Sequence, residues 1–160
     1  MKNLNTTGYN KTLLDWALLA LRIFVGVGML THGFPKLMML LSGKIEFINF
    51  FGIGEKTSLI LAVFAEVLCS LFVLMGLFTR FTVFPLIITM LVAVFVVHNN
   101  DPFAKQEMAL LYLFHYLLIF VAGPGNISID RMISRKKIGY AFLRLFFSPL
   151  LDFLHSVFLY

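Results

Sequence analysis

Four long apolar runs dominate this sequence, and they restrict its fold more than any other feature. They lie at about 13–41, 58–78, 81–98 and 106–122. A helix needs about 20 apolar residues to cross the hydrocarbon core of a bilayer, and 60% of the chain is hydrophobic. Because the runs occupy most of the 160 residues, no separate soluble domain fits. We therefore predict an all-α integral membrane protein built as a four-helix bundle.

The chain divides into a four-helix domain at residues 1–134 and a basic, amphipathic tail at 135–160. The tail is apolar from 138 onward, but Arg144, Pro149 and Asp152 interrupt it. These interruptions favour an interfacial amphipathic helix over a fifth span. The loop at 42–57 is apolar enough to pack on the bundle or to enter the membrane interface.

The net charge of +5 is explained by the membrane and does not indicate nucleic-acid binding. In a four-span topology, basic residues are more numerous on the side of both termini than on the opposite side. Such an excess marks the cytoplasmic side of a membrane protein, so we expect both termini in the cytoplasm. The residues on the terminal side are Lys2, Lys11, Arg80, Arg131, Arg135, Lys136 and Lys137, and those on the other side are Lys44, Lys56 and Lys105.

The cysteine content excludes several kinds of redox and metal centre. Cys69 is the single cysteine, so the chain can form no intramolecular disulfide, CxxC pair, thiolate metal cage or iron–sulfur centre of its own. The residues His32, His98, His115 and Glu107 have the chemistry of metal ligands, but none forms a short ligand motif. No metal site is predicted.

Three basic groups, Arg22, His32 and Lys36, lie within the first apolar run. A charged side chain at the centre of a bilayer costs roughly 2.5–3.5 kcal/mol, so such groups face protein, water or an opposite charge. At about 100° per residue, all three share one half of the helix with Gly26 and Gly33. The glycines predict the close approach of a second helix to this face.

Glu66 lies near the middle of the second run, and its position allows two interpretations. An ion pair with Arg22, which is also near mid-membrane, would compensate both charges. If Glu66 instead faces an apolar pocket, it would readily take up a proton and act as a proton carrier.

The topology brings further titratable groups to the outer half of the bundle. His32 and Lys36 lie toward the outer end of the first helix, His98 ends the third, and Glu107 and His115 lie on the fourth. This arrangement favours a basic pocket for a quinone carbonyl or a small anion. Within it, Glu66 and His32 are the predicted catalytic, proton-moving residues, and the predicted ligand-binding residues are Arg22, Lys36, His98 and Glu107.

Several motifs resemble those of one known family. The first helix carries LRIFVG at 21–26 and HGFPKL at 32–37, the second ends in GLFTR at 76–80, and GPGNISID follows at 123–130. With these motifs, residues 14–132 resemble the DoxX (DoxX/DoxD-like) family of small bacterial membrane proteins. The resemblance implies four membrane-spanning helices. It also implies roles for residues at the matching positions, namely Arg22, His32, Lys36, Glu66, Arg80, Glu107 and Asp130.

The resemblance also implies redox chemistry, since relatives are described as subunits of thiosulfate:quinone oxidoreductase or of other membrane oxidoreductase complexes. We expect a subunit of a quinone-linked oxidoreductase in the bacterial inner membrane, with quinone as its cofactor and partner proteins in a complex. The alternatives are a non-enzymatic scaffold or assembly protein, and a small-anion transporter that would require a homo-oligomer. Structural roles are predicted for Gly123 and Gly125, which end the fourth helix, and for Asp130, which caps a following turn or pairs with Arg80.

Overall fold

The structure, a computed structural model, describes residues 8–136. Four helices in it are long and apolar enough to cross a membrane, which confirms the predicted all-α, four-span architecture. They are Lys11–Ser42, Glu55–Met75, Thr79–Val97 and Phe103–Ala122. A short helix, Ile129–Lys136, ends the described chain. The amphipathic helix predicted for the rest of the tail lies outside the described residues.

The first span is one unbroken helix with a defined cap at each end. The side chain of Asn10 accepts hydrogen bonds from the backbone amides of Thr12 and Leu13, at 3.0 and 3.4 Å. Gly43 ends the helix in the left-handed conformation, with φ of 71°, where a residue without a Cβ has no steric cost. Pro35 lies inside this helix, which continues through it to Ser42. The full length of the span therefore presents one continuous face to the bundle.

The second and third spans are antiparallel neighbours joined by a very short turn. The second span ends at Met75, three residues before the predicted bound, because Gly76 takes a left-handed conformation with φ of 67°. Phe78 is also left-handed, with φ of 47°, and the third span begins at Thr79. A positive φ is uncommon for a bulky residue, so this turn depends on contacts from elsewhere in the chain.

Two glycines bring the first and second spans together, as the sequence predicted. A Cβ atom at Gly33 would lie 2.8 Å from Cγ2 of Val67 and 3.0 Å from the backbone carbon of Glu66. A Cβ at Gly26 would lie 3.1 Å from Cβ of Leu74. In lipid, helices associate through such close packing because no hydrophobic force drives them together. This contact sets the height at which residues of the first span face Glu66.

The bundle has two ends of different character. The terminal end holds the start of the first span, the turn at 76–78 and the segment 123–128. The loop end holds the connections at 43–54 and 98–102. Between them, a buried core draws residues from all four spans, including Val25, Val73, Leu86 and Ile119. Large apolar side chains are exposed along the outer surfaces of the helices, as expected for a protein surrounded by lipid.

Candidate functional site

An ion pair between Lys36 and Glu66 forms the centre of the candidate site. Gly33 lies against the backbone of Glu66, and Lys36 follows one turn later on the same face. Nζ of Lys36 donates to Oε1 of Glu66. Of the two interpretations of Glu66, the ion pair with Arg22 is wrong, because Arg22 lies 14 residues before Lys36 in the first span, about 21 Å along the helix axis.

A polar cavity of about 180 Å³ opens beside this ion pair. It brings together four of the residues predicted from the sequence, from three parts of the chain. His32 and Lys36 come from the first span, Glu66 from the second, and His98 from the end of the third. His32 is exposed at the rim, whereas Glu66 is only 3% exposed. The predicted cluster at the loop end therefore exists for these four residues.

Two polar residues of this cavity were missed by the sequence analysis. Tyr112 and Lys105 of the fourth span both line it. The ring of His32 stands edge-on to the ring of Tyr112, with centroids 6.0 Å apart. The hydroxyl of Tyr112 lies where a side chain at residue 28 would be, 2.2 Å from the position of a Cβ atom at Gly28. The glycine at position 28 was the available signal, since it indicates that another group approaches the first span there.

An apolar cavity of about 340 Å³ adjoins the other side of the ion pair. Both cavities are lined by Lys36, Glu66 and His98. The first loop covers the apolar cavity, as its composition predicted, and the Nζ atom of Lys36 lies 5.9 Å from the ring centre of Phe47. The remaining lining is mostly apolar, with Phe50, Ile53, Leu61, Ile88, Val92 and Val97 among its residues.

Both neighbouring spans depart from α-helical geometry next to these cavities. The second span is π-helical over Phe64–Cys69, the stretch that contains Glu66. The third span is π-helical over Ala93–Val97, immediately before His98. Single π-helical turns are rare and occur frequently at functional sites, because the extra residue redirects the side chains around it. Their position on both sides of the cavities therefore supports a role for this region in ligand binding.

His98 is held in place by the second loop. Its Nδ1 atom lies 2.8 Å from Oδ2 of Asp101, and Nζ of Lys105 lies 3.3 Å from the other oxygen of the same carboxylate. The side chain of Gln106 donates to the backbone oxygen of His98, at 2.7 Å. The hydrogen bond with His98, followed by that with Lys105, holds the pKa of Asp101 below its usual range. A charged Asp101 thus fixes the position of His98 against the cavities.

Two further residues expected in this cluster lie elsewhere. Glu107 is exposed on the fourth span and does not line either cavity. His115 is hydrogen-bonded to the carbonyl of Leu111 in its own helix, and its ring lies 6.3 Å from that of Phe24. The reason is rotation about the helix axis: the fourth span turns Tyr112 toward the cavity.

Arg22 lies at the terminal end of the bundle, outside both cavities. It is 1% exposed, and its Nη2 atom donates to the backbone oxygen of Ile127. A Cβ atom at Gly76 would lie 2.0 Å from Nη1 of Arg22 and 2.7 Å from Cβ of Ser128. The guanidinium group therefore fills the space between the end of the second span and the segment after the fourth. This contact corrects the prediction that Arg22 belongs to the outer ligand pocket.

Asp130 caps the third span across a long stretch of sequence. Its two carboxylate oxygens accept hydrogen bonds from the backbone amides of Phe78 and Thr79, at 2.7 and 3.0 Å. The hydroxyl of Thr79 donates to the same group at 2.9 Å. Negative charge is favourable at the N-terminus of a helix, and these bonds stabilise the left-handed turn before it. The prediction that Asp130 caps its own following turn or pairs with Arg80 is wrong.

The remaining motif residues also lie at the terminal end. Arg80 is exposed, with Nη2 3.9 Å from the position of a Cβ atom at Gly123. Gly123 and Gly125 have φ of 77° and 76°, and the fourth span ends before them at Ala122, as predicted. Asp15 of the first span accepts hydrogen bonds from the backbone and side-chain amides of Asn126, at 2.8 and 2.9 Å. The segment 123–130 thus ties the ends of the spans together.

Metal-binding side chains do not converge in the described part of the chain. Within residues 8–136, no group of three His, Cys, Asp or Glu residues is close enough to hold a metal ion. Cys69 is buried in the core. The polar groups that do converge are the ammonium, carboxylate and imidazole groups around the two cavities, which suit an organic ligand with oxygen atoms.

Comparison with known proteins identifies a family. No curated protein and no solved structure matches the chain. The family model named DoxX matches residues 17–99, more than half of the sequence. The match covers the first span from residue 17 onward and all of the second and third spans, and it ends before the fourth. The likeness of residues 123–130 to the closing motif of the family therefore stays a prediction. On this match and its four apolar helices, the chain is an integral membrane protein that belongs to the DoxX family.

Proposed function

We propose that this protein binds a quinone at its loop end and acts as the membrane subunit of a quinone-linked oxidoreductase complex. The observation that carries the proposal is the hydrogen bonding of the Glu66 carboxylate. One of its oxygens is paired with Lys36, and the other is buried without a hydrogen-bond partner in the part of the chain that the structure describes. A buried carboxylate oxygen without a donor is costly, and this residue lines both cavities. A ligand hydroxyl would supply the missing donor.

The polar cavity suits the ring of such a ligand. A quinone presents two carbonyl oxygens that need hydrogen-bond donors, and its reduced form presents hydroxyls that need acceptors. Lys36 and His98 can donate, and the free oxygen of Glu66 can accept. All three border the cavity together with Tyr112, whose ring offers an aromatic surface. Met29, Met90 and Met108 also line it, and methionine sulfur makes favourable contacts with aromatic rings.

The apolar cavity suits the hydrocarbon tail of the same molecule. Its lining is mostly aliphatic and aromatic, and it meets the polar cavity at the Lys36–Glu66 pair. A molecule with an oxygen-bearing ring and an apolar tail would therefore place each part in the matching environment. The presence of an apolar cavity next to the polar one favours a quinone over a small inorganic anion, because such an anion has no apolar part to fill the second cavity.

Proton exchange would be the chemical contribution of this chain. The chemistry that a quinone supplies is the carriage of two electrons together with two protons. Glu66 faces both cavities and would exchange a proton with a ligand oxygen. His32 is exposed at the rim and would exchange protons with water, with Lys36 and His98 holding the ligand. Electrons would enter from a partner protein or a substrate.

The proposal includes an orientation in the bacterial inner membrane. The basic residues in excess at the terminal end support a cytoplasmic position for both termini. The site would then lie in the outer half of the bilayer, next to the loops. A partner that delivers electrons would dock at the loop end or beside the cavities.

Direct binding to the full chain tests this function. We would reconstitute the protein in lipid nanodiscs and measure binding of a short-tailed ubiquinone analogue by equilibrium dialysis. Replacement of either member of the pair, by Lys36→Gln or Glu66→Gln, should weaken binding about tenfold, the value of one hydrogen bond to a charged group. Glu55→Gln is the matched control, because Glu55 is exposed on the same span.

Two results would contradict the proposed function. One is that the unaltered protein does not bind the analogue at concentrations that saturate other quinone proteins. The other is that Lys36→Gln and Glu66→Gln both bind as well as Glu55→Gln and the unaltered chain, which would place the ligand elsewhere. In either case the scaffold interpretation gains support, and recovery of partner proteins with the same variants would test it.

A further inference from the structure

A recess of about 410 Å³ lies at the terminal end of the bundle, opposite to the end that holds the two cavities. It opens between the start of the first span and the segment that follows the fourth. The two spans contribute apolar side chains to its lining, namely Leu14, Leu18 and Ala122. Asp15 and Arg131 add one carboxylate and one guanidinium group. The recess therefore combines an apolar wall with charges of both signs.

The position of the recess places it where the membrane meets water. The first span begins at Lys11, so Asp15 lies about one turn into it, and Ala122 is the last residue of the fourth span. Trp16, next to Asp15, is 58% exposed, and tryptophan is enriched at membrane interfaces. Lipid headgroups therefore surround the polar part of the recess, and acyl chains begin beside its apolar wall.

The carboxylate of Asp15 can bind a further donor. Its two oxygens accept one hydrogen bond each from Asn126, at 2.8 and 2.9 Å, whereas an ionised carboxylate has about four acceptor positions. Asp130 also lines the recess, but its carboxylate already accepts three bonds, from the backbone amides of Phe78 and Thr79 and from the Thr79 hydroxyl. Asp15 forms no ion pair within residues 8–136. It is therefore the group in the recess that can accept from a cation.

The guanidinium group of Arg131 is the matching donor. It forms no ion pair with any other residue that the structure describes. The backbone amide of Arg131 donates to the hydroxyl of Ser128 at 3.3 Å, in the first turn of the helix Ile129–Lys136. Ser134, in the same helix, adds a hydroxyl to the lining. Because arginine binds phosphate with two parallel hydrogen bonds, these side chains suit a phosphate group.

We propose that this recess binds phosphatidylethanolamine. The headgroup of this lipid carries a phosphate and a primary ammonium group, joined by two carbons. Arg131 and Ser134 bind the phosphate, Asp15 accepts from the ammonium group, and the first carbons of an acyl chain lie on Leu14 and Leu18. The quaternary ammonium of phosphatidylcholine has no N–H donor for Asp15, and an anionic lipid brings no cation at all. The charge pattern of the recess therefore selects the ethanolamine headgroup.

The bound lipid would hold the segment after the fourth span against the first span. A Cβ atom at Gly125 would lie 3.3 Å from Oδ1 of Asp15 and 3.3 Å from Cδ1 of Leu18, so this segment already touches the wall of the recess. A headgroup bonded to both Asp15 and Arg131 adds a second connection between the same two elements. This role goes beyond the proposed function, since it involves neither cavity at the loop end.

Competition between lipids, measured by native mass spectrometry of the full chain, tests this site. The purified protein is mixed in detergent with equimolar phosphatidylethanolamine, phosphatidylcholine and phosphatidylglycerol that have the same acyl chains, and the retained lipid is identified by its mass. We expect about threefold more retention of the ethanolamine lipid than of either other lipid, the scale of one exposed ion pair. This comparison uses the unaltered chain, so it decides the inference even if a variant fails to fold.

Variants then assign the preference to the recess. Asp15→Asn should abolish the preference for the ethanolamine lipid, because the new side chain still accepts from Asn126 but has no charge. Arg131→Gln should lower the retention of all three lipids, since each carries a phosphate. Arg80→Gln is the matched control: it removes a positive charge at the same end of the bundle from a residue that does not line the recess. It should change neither the retention nor the preference, and thermal unfolding shows whether each variant is folded.

Three results with the unaltered chain would contradict this inference. Equal retention of the ethanolamine and choline lipids would show that Asp15 does not bind the ammonium group. A preference for phosphatidylglycerol would show that the basic residues at this end act only through their net charge. Retention of no lipid would mean that another group fills the recess, such as part of the tail at 137–160. No quinone is present in these measurements, so a failure of the proposed function leaves their outcome unchanged.

Discussion

The ammonium group of Lys36 and the carboxylate of Glu66 form an ion pair where the polar and apolar cavities meet. Glu66 is almost fully buried, whereas the Lys36 side chain is 29% exposed. The buried carboxylate of Glu66 therefore depends on Lys36 for its compensating charge, whereas the ammonium group of Lys36 can also reach other groups. This asymmetry suits a site in which Lys36 exchanges its contact with Glu66 for one with a ligand.

Lys36→Gln should lower the free energy of unfolding by about 2 kcal/mol. The cost is that of leaving a buried carboxylate without its partner, reduced from the 3–5 kcal/mol of a fully buried pair because Lys36 is partly exposed. The double variant Lys36→Gln with Glu66→Gln should recover part of this loss, since no charge is then left unpaired. Unfolding by SDS in mixed micelles compares the unaltered protein, Lys36→Gln, Glu66→Gln and the double variant. Losses that simply add in the double variant would show that the two residues are not coupled.

Gly33→Ala should destabilise the bundle, and Gly28→Ala should not. The new methyl group at residue 33 would lie 3.0 Å from the backbone of Glu66, which cannot move without separating two spans. We expect a loss of about 2 kcal/mol, typical of overpacking. At residue 28 it would meet only the end of the Tyr112 side chain, which can turn away. Thermal unfolding in detergent compares the two variants, and equal losses would argue against the close helix contact.

Asp130→Ala should lower the free energy of unfolding by about 1–2 kcal/mol, the usual cost of losing a helix cap. The variant leaves the backbone amides of Phe78 and Thr79 without the carboxylate that they bond. Arg80→Ala provides the control, because Arg80 is exposed and makes no ion pair with Asp130 within the described chain. It should change stability by less than about 0.5 kcal/mol. A larger effect of Arg80→Ala would support the pairing of Arg80 with Asp130 that the sequence suggested.

The Asp101 carboxylate should titrate below its ordinary pKa of 3.8, chiefly because of its hydrogen bond with His98. His98→Ala should therefore raise the pKa of Asp101 more than Lys105→Ala does. A carboxylate with a lowered pKa stabilises the folded loop fully above 3.8, and its contribution is lost as the pH falls through the lowered value. Carbon-13 NMR of the labelled aspartate carboxyl group measures the midpoint. An unchanged midpoint in His98→Ala would show that the two side chains do not interact.

The four spans could be predicted because membrane insertion depends on local composition. Each apolar side chain contributes to the transfer free energy largely by itself, so the run that became the fourth span is recognisable without its neighbours. The same is true of the end of the fourth helix at Gly123, where glycine allows the required backbone conformation. The glycine face of the first span was likewise evident, because a period of 3.6 residues follows from helix geometry alone.

The partners of the charged groups were decided by the tertiary structure. The sequence placed Arg22 and Lys36 on one face, but the height at which Gly33 meets the second span determines that Lys36 reaches Glu66. Rotation of the fourth span turns Tyr112, and not Glu107, toward the polar cavity. Asp130 caps a helix that begins 51 residues earlier. Pairing of this kind depends on the relative position and rotation of whole helices, which arise from packing over their full length and are not encoded in any single segment.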